Sequence, residues 1–309
     1  MLTHEHGERK AELQILSGLR LALVLAGVAL VLEAAGALFA RSLALTVDAA
    51  HNVPDLIAFA ASWSALAATR RGTSAEQTFG AHRLEVFAGL ANGLLVLGTG
   101  VAFGYEALGS LLERSSFAGP VDPYWILVAA VPTLALRLLS LRALGKVPGR
   151  VRDLNLYSAI IHVVSDLATT FVLLLAAVTL VLRPSLVWID AAGALAISGI
   201  LAYESYPILR EGYRVLAERV PPGLSVAAIR SSAKKVTGVI ELHDVHVWSV
   251  CSMLVYLTAH VEVSDMSVRE CMDVVEQLRS RMEEEFGIVH ATFETETLPR
   301  GDRPHGHPA

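Results

Sequence analysis

Apolar residues occupy the first two thirds of the chain in long blocks. Six stand out: Leu16–Ala40, Ser42–Ala68, Leu84–Leu112, Tyr124–Leu144, Leu154–Leu182 and Leu186–Leu209. Each is at least as long as the ~20 residues a helix needs to cross a ~30 Å hydrocarbon core. Unpaired backbone polar groups are costly in lipid, so the pattern predicts six transmembrane helices. The first block is longer than the ~7–15 residues of a cleavable signal core, so it is expected to stay in the protein. After Leu209 the pattern shortens. Ser225 can cap a helix over Val226–Val236. Val239–Val250 and Met253–Val263 alternate as strands, with a break near Cys251 and Ser252. Ser267–Phe286 reads as an amphipathic helix carrying Val268, Met272, Val275, Leu278 and Met282, and Ile288–Leu298 reads as a last strand. The order α-β-β-α-β fits a small two-layer α+β domain.

Charge follows the same division. Residues 210–309 hold 11 Lys/Arg and 15 Asp/Glu, and the 209 residues before them hold only 29 charged side chains. A mean hydropathy of +0.51 excludes a disordered chain or a single soluble domain. The net charge of −5 excludes the strongly basic footprint of a nucleic-acid binder. Two cysteines, Cys251 and Cys271, are too few for a disulfide framework and read as small hydrophobes. The expected organisation is a cytoplasmic tail over 1–15, a transport domain over 16–209, a cytoplasmic domain over 210–298 and a disordered tail over 299–309.

Loop charge sets the orientation. Arg70, Arg71, Arg83, Arg142, Lys146, Arg150 and Arg152 lie on one side of the expected helices, against Arg41, Arg114 and Arg183 on the other. The excess places both termini in the cytoplasm. Arg20 and Arg137, taken as near cytoplasmic ends, are expected to snorkel.

Polar residues inside apolar helices are expensive and therefore informative. His51 and Asp55 lie in the second block, and His162 and Asp166 in the fifth. Both pairs read His-x-x-x-Asp, a spacing that sets the two side chains on one helix face. Asp55 is 13 residues from Ala68 and Asp166 is 12 from Leu154. At ~1.5 Å per residue both sit ~18–20 Å from the cytoplasmic edge. On antiparallel helices each histidine can face the other helix's aspartate, and four N/O ligands at one level suit a tetrahedral divalent ion. Either pair alone could be a hydrogen bond pinning two helices. Two identical pairs at matched depth favour the ion. Two carboxylates neutralise its charge, and without it their repulsion favours protons, so metal binding releases protons. Imidazole ligands point to Zn2+ first. Asp48 and Asn92 are candidates for groups beside the ion or on its way in. Glu33 and Asp190 are expected to pair within the helices, and Pro54 removes one helical hydrogen bond next to the ligands.

The strings Ser42-Leu43-Ala44-Leu45 through Asp48, His51 and Asp55, Thr78-Phe79-Gly80-Ala81-His82-Arg83-Leu84-Glu85, Asn92-Gly93, His162 with Asp166, and Leu242-His243-Asp244-Val245-His246-Val247-Trp248 together resemble the cation diffusion facilitator family of metal/proton antiporters. The resemblance spans roughly residues 15–297. It implies a homodimer, six helices per subunit and a ferredoxin-like cytoplasmic domain that binds metal. It also implies His243, His260 and Glu296 as cytoplasmic ligands, with His246 and His290 as alternatives. Thr292 stands where relatives carry an aspartate, which leaves a two-ion cytoplasmic site in doubt. Residues 69–81 carry neither His nor Asp, and residues 145–153 carry no His, so further metal clusters of some relatives are not expected. His4, His6, His305 and His307 fall in polar tails.

The function expected is proton-coupled export of Zn2+ from the cytoplasm through the inner membrane of a bacterial cell, by a secondary transporter with no organic cofactor. Its partners would be divalent metal ions, protons, membrane lipid and a second copy of the chain. Two other classes remain open. A zincin-type intramembrane metalloenzyme needs His-Glu-x-x-His, which no apolar block contains. A non-transporting metal sensor would be expected to lose one of His51, Asp55, His162 and Asp166, and all four are present.

Overall fold

The computed structural model describes residues 2–69, 82–113, 120–145, 154–251 and 254–297; within these, the side chains of 2–19, 55, 58–69, 154–159 and 161 lie outside the description. Two compact units emerge, one formed by residues 1–64 and 88–209 and the other by 65–87 and 210–309.

The first unit is helical. Its elements are α1 (Leu2–Ala40), α2 (Leu43–Thr69), α3 (Arg83–Glu113), α4 (Pro123–Gly145), α5 (Leu154–Leu182) and α6 (Trp188–Leu216), the last residues of α2 and α6 and the first of α3 falling in the second unit. Among the described residues, α1, α3, α4, α5 and α6 are long and apolar enough to cross a membrane. The helix α1 starts at Leu2, well before the expected Leu16. The segment read as a tail carries Glu5, Glu8, Arg9, Lys10, Ala11, Glu12 and Leu13, all strong helix formers, and the helix runs through it.

Apolar side chains lie both in the core and on the outer surface. Leu43, Leu45, Ile126, Leu173, Ile197 and Leu201 are fully buried, while Leu38, Tyr105, Leu112 and Leu182 point outward. An apolar rim of this kind suits lipid as its solvent. With little hydrophobic drive between helices in lipid, small residues allow close approach. A Cβ added at Gly36 on α1 would come within 2.5 Å of the Ala129 Cβ on α4, so glycine is what lets these two helices meet. The helix α4 packs against both α1 and α5. At the start of α2, Ser42 accepts from the Leu45 amide at 3.1 Å, and Asp190 of α6 accepts from the Leu43 amide at 2.6 Å and from the Ser42 hydroxyl. A carboxylate at a helix N-terminus satisfies orphan donors and complements the dipole. This holds α6 to the start of the helix that carries His51. Pro54 lies inside α2 without ending it.

The second unit contains α7 (Val226–Ala233), β1 (Val239–Ser249), β2 (Val255–Val263), α8 (Val268–Phe286) and β3 (His290–Glu296). The sheet order is β1-β2-β3, with β1 antiparallel and β3 parallel to β2. Ile229, Leu242, Leu257, Val261, Leu278, Met282 and Ile288 form its core. The capping serine expected before α7, Ser225, accepts from Ala228. A capping box of Ser267 and Glu270 starts α8, and Gly287 at φ 66° ends it. Val268 and Met272, expected on the buried face of α8, are exposed. The buried stripe is instead Val274, Leu278 and Met282. These follow one face at 3.6 residues per turn, whereas the expected stripe drifts off it toward the N-terminus.

Candidate metal centre

The polar groups of α1, α2, α4 and α5 converge inside the helical unit. His51 Nε2 lies 3.5 Å from Asp166 Oδ1, and His162 Nε2 lies 3.8 Å from Asp166 Oδ2. The predicted reach of a histidine on α2 to the aspartate of α5 is thus present. His51 and Asp166 are buried, and His162 is partly open. The backbone of Asp55 lies in α2 one turn after His51, and its carboxylate lies outside the described side chains. Asp48 is fully buried, with Oδ1 3.8 Å from His51 Nδ1. Asn92 on α3 is half-buried. A cavity of about 30 Å³ is lined by Ala26, Asn52, Arg137, Ser140, His162 and Asp166, room for a water molecule or a small ion.

Arg137 departs from expectation. Its side chain does not reach for the cytoplasmic edge but is buried at the centre of the cluster. One terminal nitrogen, Nη2, lies 3.0 Å from Glu33 Oε1 on α1 and 3.3 Å from Asp48 Oδ2 on α2. The other, Nη1, donates to the Asp166 carbonyl, to Thr170 Oγ1 and, at 3.1 Å, to Thr169 Oγ1. Nε is 4.0 Å from Asp166 Oδ2. Asn52 donates to Glu33 Oε2 at 2.7 Å. A cation buried this deeply persists only when paired, and the planar guanidinium can pair with several groups at once. Its depth in the helix was the part of the signal that the sequence carried. Arg137 is eight residues from Gly145, the end of α4. That sets its Cα ~12 Å from the helix end, far for snorkelling.

The second cluster lies on the sheet face turned away from the helices. His243 on β1 pairs with His260 on β2. His243 Nε2 is 3.3 Å from Glu296 Oε2, and His260 Nδ1 is 2.9 Å from Glu296 Oε1. One ligand atom from each of His243, His260 and Glu296 falls within 4.8 Å of the others, a spacing that can hold a metal ion. A register shift between His243 and His246 marks a bulge, with Asp244 at φ 47°. Leu242 and Val247 both face the core. The bulge therefore keeps His243 and His246 on the same outer face, which strict alternation would forbid. It also aims Asp244 at His246 (3.1 Å) and at His260 Nε2 (3.7 Å). The hydrogen bond to Glu296 raises the His260 pKa above its ordinary value and lowers that of Glu296. His290 stacks on Tyr256, with ring centroids 4.7 Å apart.

Residues 19–217 match the family described as the cation efflux transmembrane domain, and residues 221–297 match the cytoplasmic domain of cation efflux proteins. The chain belongs to the cation diffusion facilitator family. It is a transporter, not an enzyme, and an integral membrane protein. It is 32% identical over 281 residues to the metal cation efflux system protein CzcD of Cupriavidus metallidurans, covering 91% of this chain and 86% of the relative. It is 26% identical over 269 residues to the cadmium, cobalt and zinc/H(+)-K(+) antiporter of Bacillus subtilis, covering 87% and 85%. The zinc transporter ZitB of Escherichia coli is 26% identical over 304 residues, covering 96% and 94%. Within this family the helical cluster and the sheet cluster are two separate candidate sites. The helical one is largely buried, and the sheet one is partly exposed.

Proposed function

We propose that this cation diffusion facilitator exports Zn2+ from the cytoplasm in exchange for protons. The ion is held tetrahedrally by His51, Asp55, His162 and Asp166, between helices two and five of six membrane-spanning helices. The observation that carries the reading is the convergence of His51, His162 and Asp166 from α2 and α5 deep in an apolar bundle. Two imidazoles and two carboxylates favour a borderline ion over magnesium or manganese. Proton exchange rests on charge: two carboxylates at close range are stabilised by a divalent ion or by protons. His51 and His162 accept protons as neutral imidazoles and must be neutral to ligate, so binding displaces protons.

The protein works as a homodimer with both termini in the cytoplasm. His243, His260 and Glu296 form a regulatory zinc site there. Zinc joins β1, β2 and β3 at one point, which stabilises the metal-bound domain by mass action. Asp48 and Asn92 serve beside the ion or on its way in.

Flux of zinc, cobalt, cadmium and manganese into proteoliposomes under an imposed proton gradient tests the reading. Zinc uptake driven by an acidic lumen supports it. Equal zinc uptake with and without the gradient removes proton coupling, and manganese transported ahead of zinc removes the ligand argument.

A further inference from the structure

We propose that Arg137 is a tethered competitor of the transported ion: a fixed positive charge that contends with the divalent cation for Asp166 and thereby limits how tightly the site holds it. The proposal rests on the reading of the His51, Asp55, His162 and Asp166 cluster as the transport site.

Four observations carry it. The guanidinium is buried, so its charge is poorly screened by water. It stands 4.0 Å from the carboxylate of Asp166 and lines the same small cavity as His162 and Asp166. It is fastened from the side of α5 by the Asp166 carbonyl and the hydroxyls of Thr169 and Thr170. It has a second set of partners, Glu33 and Asp48, on α1 and α2. Two carboxylates behind the guanidinium can hold it when Asp166 turns to an ion. Binding therefore exchanges the Asp166 contact of Arg137 for a metal bond, and release reverses the exchange without leaving Asp166 bare.

Helix pinning alone would explain the contacts but not their placement. Pairing with Glu33 and Asp48 accounts for a charge, but not for its place beside a ligand carboxylate. A cation there necessarily opposes a second cation. The consequence suits a carrier, which must release its ion as well as bind it. Arg137 touches no ion in this account; it is a positioning residue that acts through Asp166.

The test uses the full-length protein in detergent at about pH 8, where carboxylates in solution are ionised. His243→Ala and His260→Ala are included throughout so that zinc titrations report the membrane site. Arg137→Gln is expected to bind zinc about tenfold more tightly than this background: it loses one unit charge about 4 Å from a ligand, a charge that Glu33 and Asp48 already cancel in large part. Arg137→Lys, which keeps the charge, should restore background affinity within about threefold. In proteoliposomes Arg137→Gln should lower KM and Vmax together, whereas loss of a purely structural contact lowers Vmax without tightening KM. Thr170→Val removes one fastening at nearly constant volume and charge. It should tighten zinc by a smaller factor, and it decides the matter if Arg137→Gln aggregates. Unchanged or weaker zinc binding in Arg137→Gln, or in Thr170→Val where the first does not fold, overturns the proposal. If the background protein itself binds zinc with no dependence on Asp166→Asn, the transport-site reading fails first, and this inference with it.

Discussion

Replacing Asp166 by Asn keeps the side chain's volume and removes the charge on which both histidines converge. His51 lies 3.5 Å and His162 3.8 Å from its two oxygens, so the carboxylate is the pivot of the described cluster. Two unit charges 4 Å apart interact by about 4 kcal/mol at an effective dielectric near 20. A divalent ion doubles that to about 8 kcal/mol. If recovered hydration offsets half of it, about 4 kcal/mol remains, close to a thousandfold in affinity at about 1.4 kcal/mol per factor of ten. The fold should survive. Arg137 keeps Glu33 and Asp48 as counter-charges, and the Asp166 backbone carbonyl that it binds is unchanged by the substitution. The assay is initial zinc flux in proteoliposomes against zinc concentration, with size-exclusion elution as the control for folding. Flux at physiological zinc should vanish. A correctly folded Asp166→Asn protein with KM within threefold of wild type would refute the assignment of Asp166 as a ligand.

Three further outcomes follow from the two clusters. His51→Asp exchanges a nitrogen ligand for a harder oxygen and adds a charge, so competition assays should show acceptance shifted from zinc toward cadmium, iron or manganese; an unchanged ranking assigns selectivity to geometry. Zinc at about 100 times its dissociation constant should stabilise residues 210–309 by about 2.7 kcal/mol, seen as a higher Tm, and His243→Ala with His260→Ala should abolish the rise. In metal-free residues 210–309, the His260–Glu296 pair should stabilise most between pH 4.5 and 6.5, the ordinary pKa values of the two groups. The raised His260 contribution is present below 6.5 and fades as pH rises through its folded value, and the lowered Glu296 contribution is present above 4.5 and fades as pH falls. Both groups are partly exposed, so the Tm difference between wild type and His260→Ala should be a few degrees at most, roughly.

Much of the architecture is written in the hydrophobic pattern, because a ~20-residue apolar run has few alternatives in lipid. Depth along a helix is countable from sequence, and from the matched depths of Asp55 and Asp166 comes the expectation that α2 and α5 face each other; His51 lies 3.5 Å from Asp166, and the Asp55 carboxylate lies outside the described side chains. The cytoplasmic strands were legible to within two residues at every end; in β2, for example, Leu257, Ala259, Val261 and Val263 alternate with outward residues. Arg137 was misread because a single charge in an apolar block can snorkel or pair, and the choice depends on what neighbouring helices present. Here Glu33 and Asp48 present two carboxylates, a tertiary fact that no local pattern carries. The bulge at Asp244 was hidden for the same kind of reason. Its left-handed backbone is one that aspartate tolerates but does not announce, and only the pairing of β1 with β2 reveals it. The face of α8 was misjudged because Val268 and Met272 are apolar yet solvent-facing, and apolar character alone does not fix burial.

The central claim is that the ion is carried on two imidazoles and two carboxylates inside the helical unit. Zinc X-ray absorption on the full-length protein carrying His243→Ala and His260→Ala addresses it most directly. The account predicts a four-coordinate centre with two nitrogen and two oxygen ligands at about 2.0–2.2 Å, lost in Asp166→Asn. A six-coordinate oxygen shell, or a spectrum unchanged by Asp166→Asn, would contradict it.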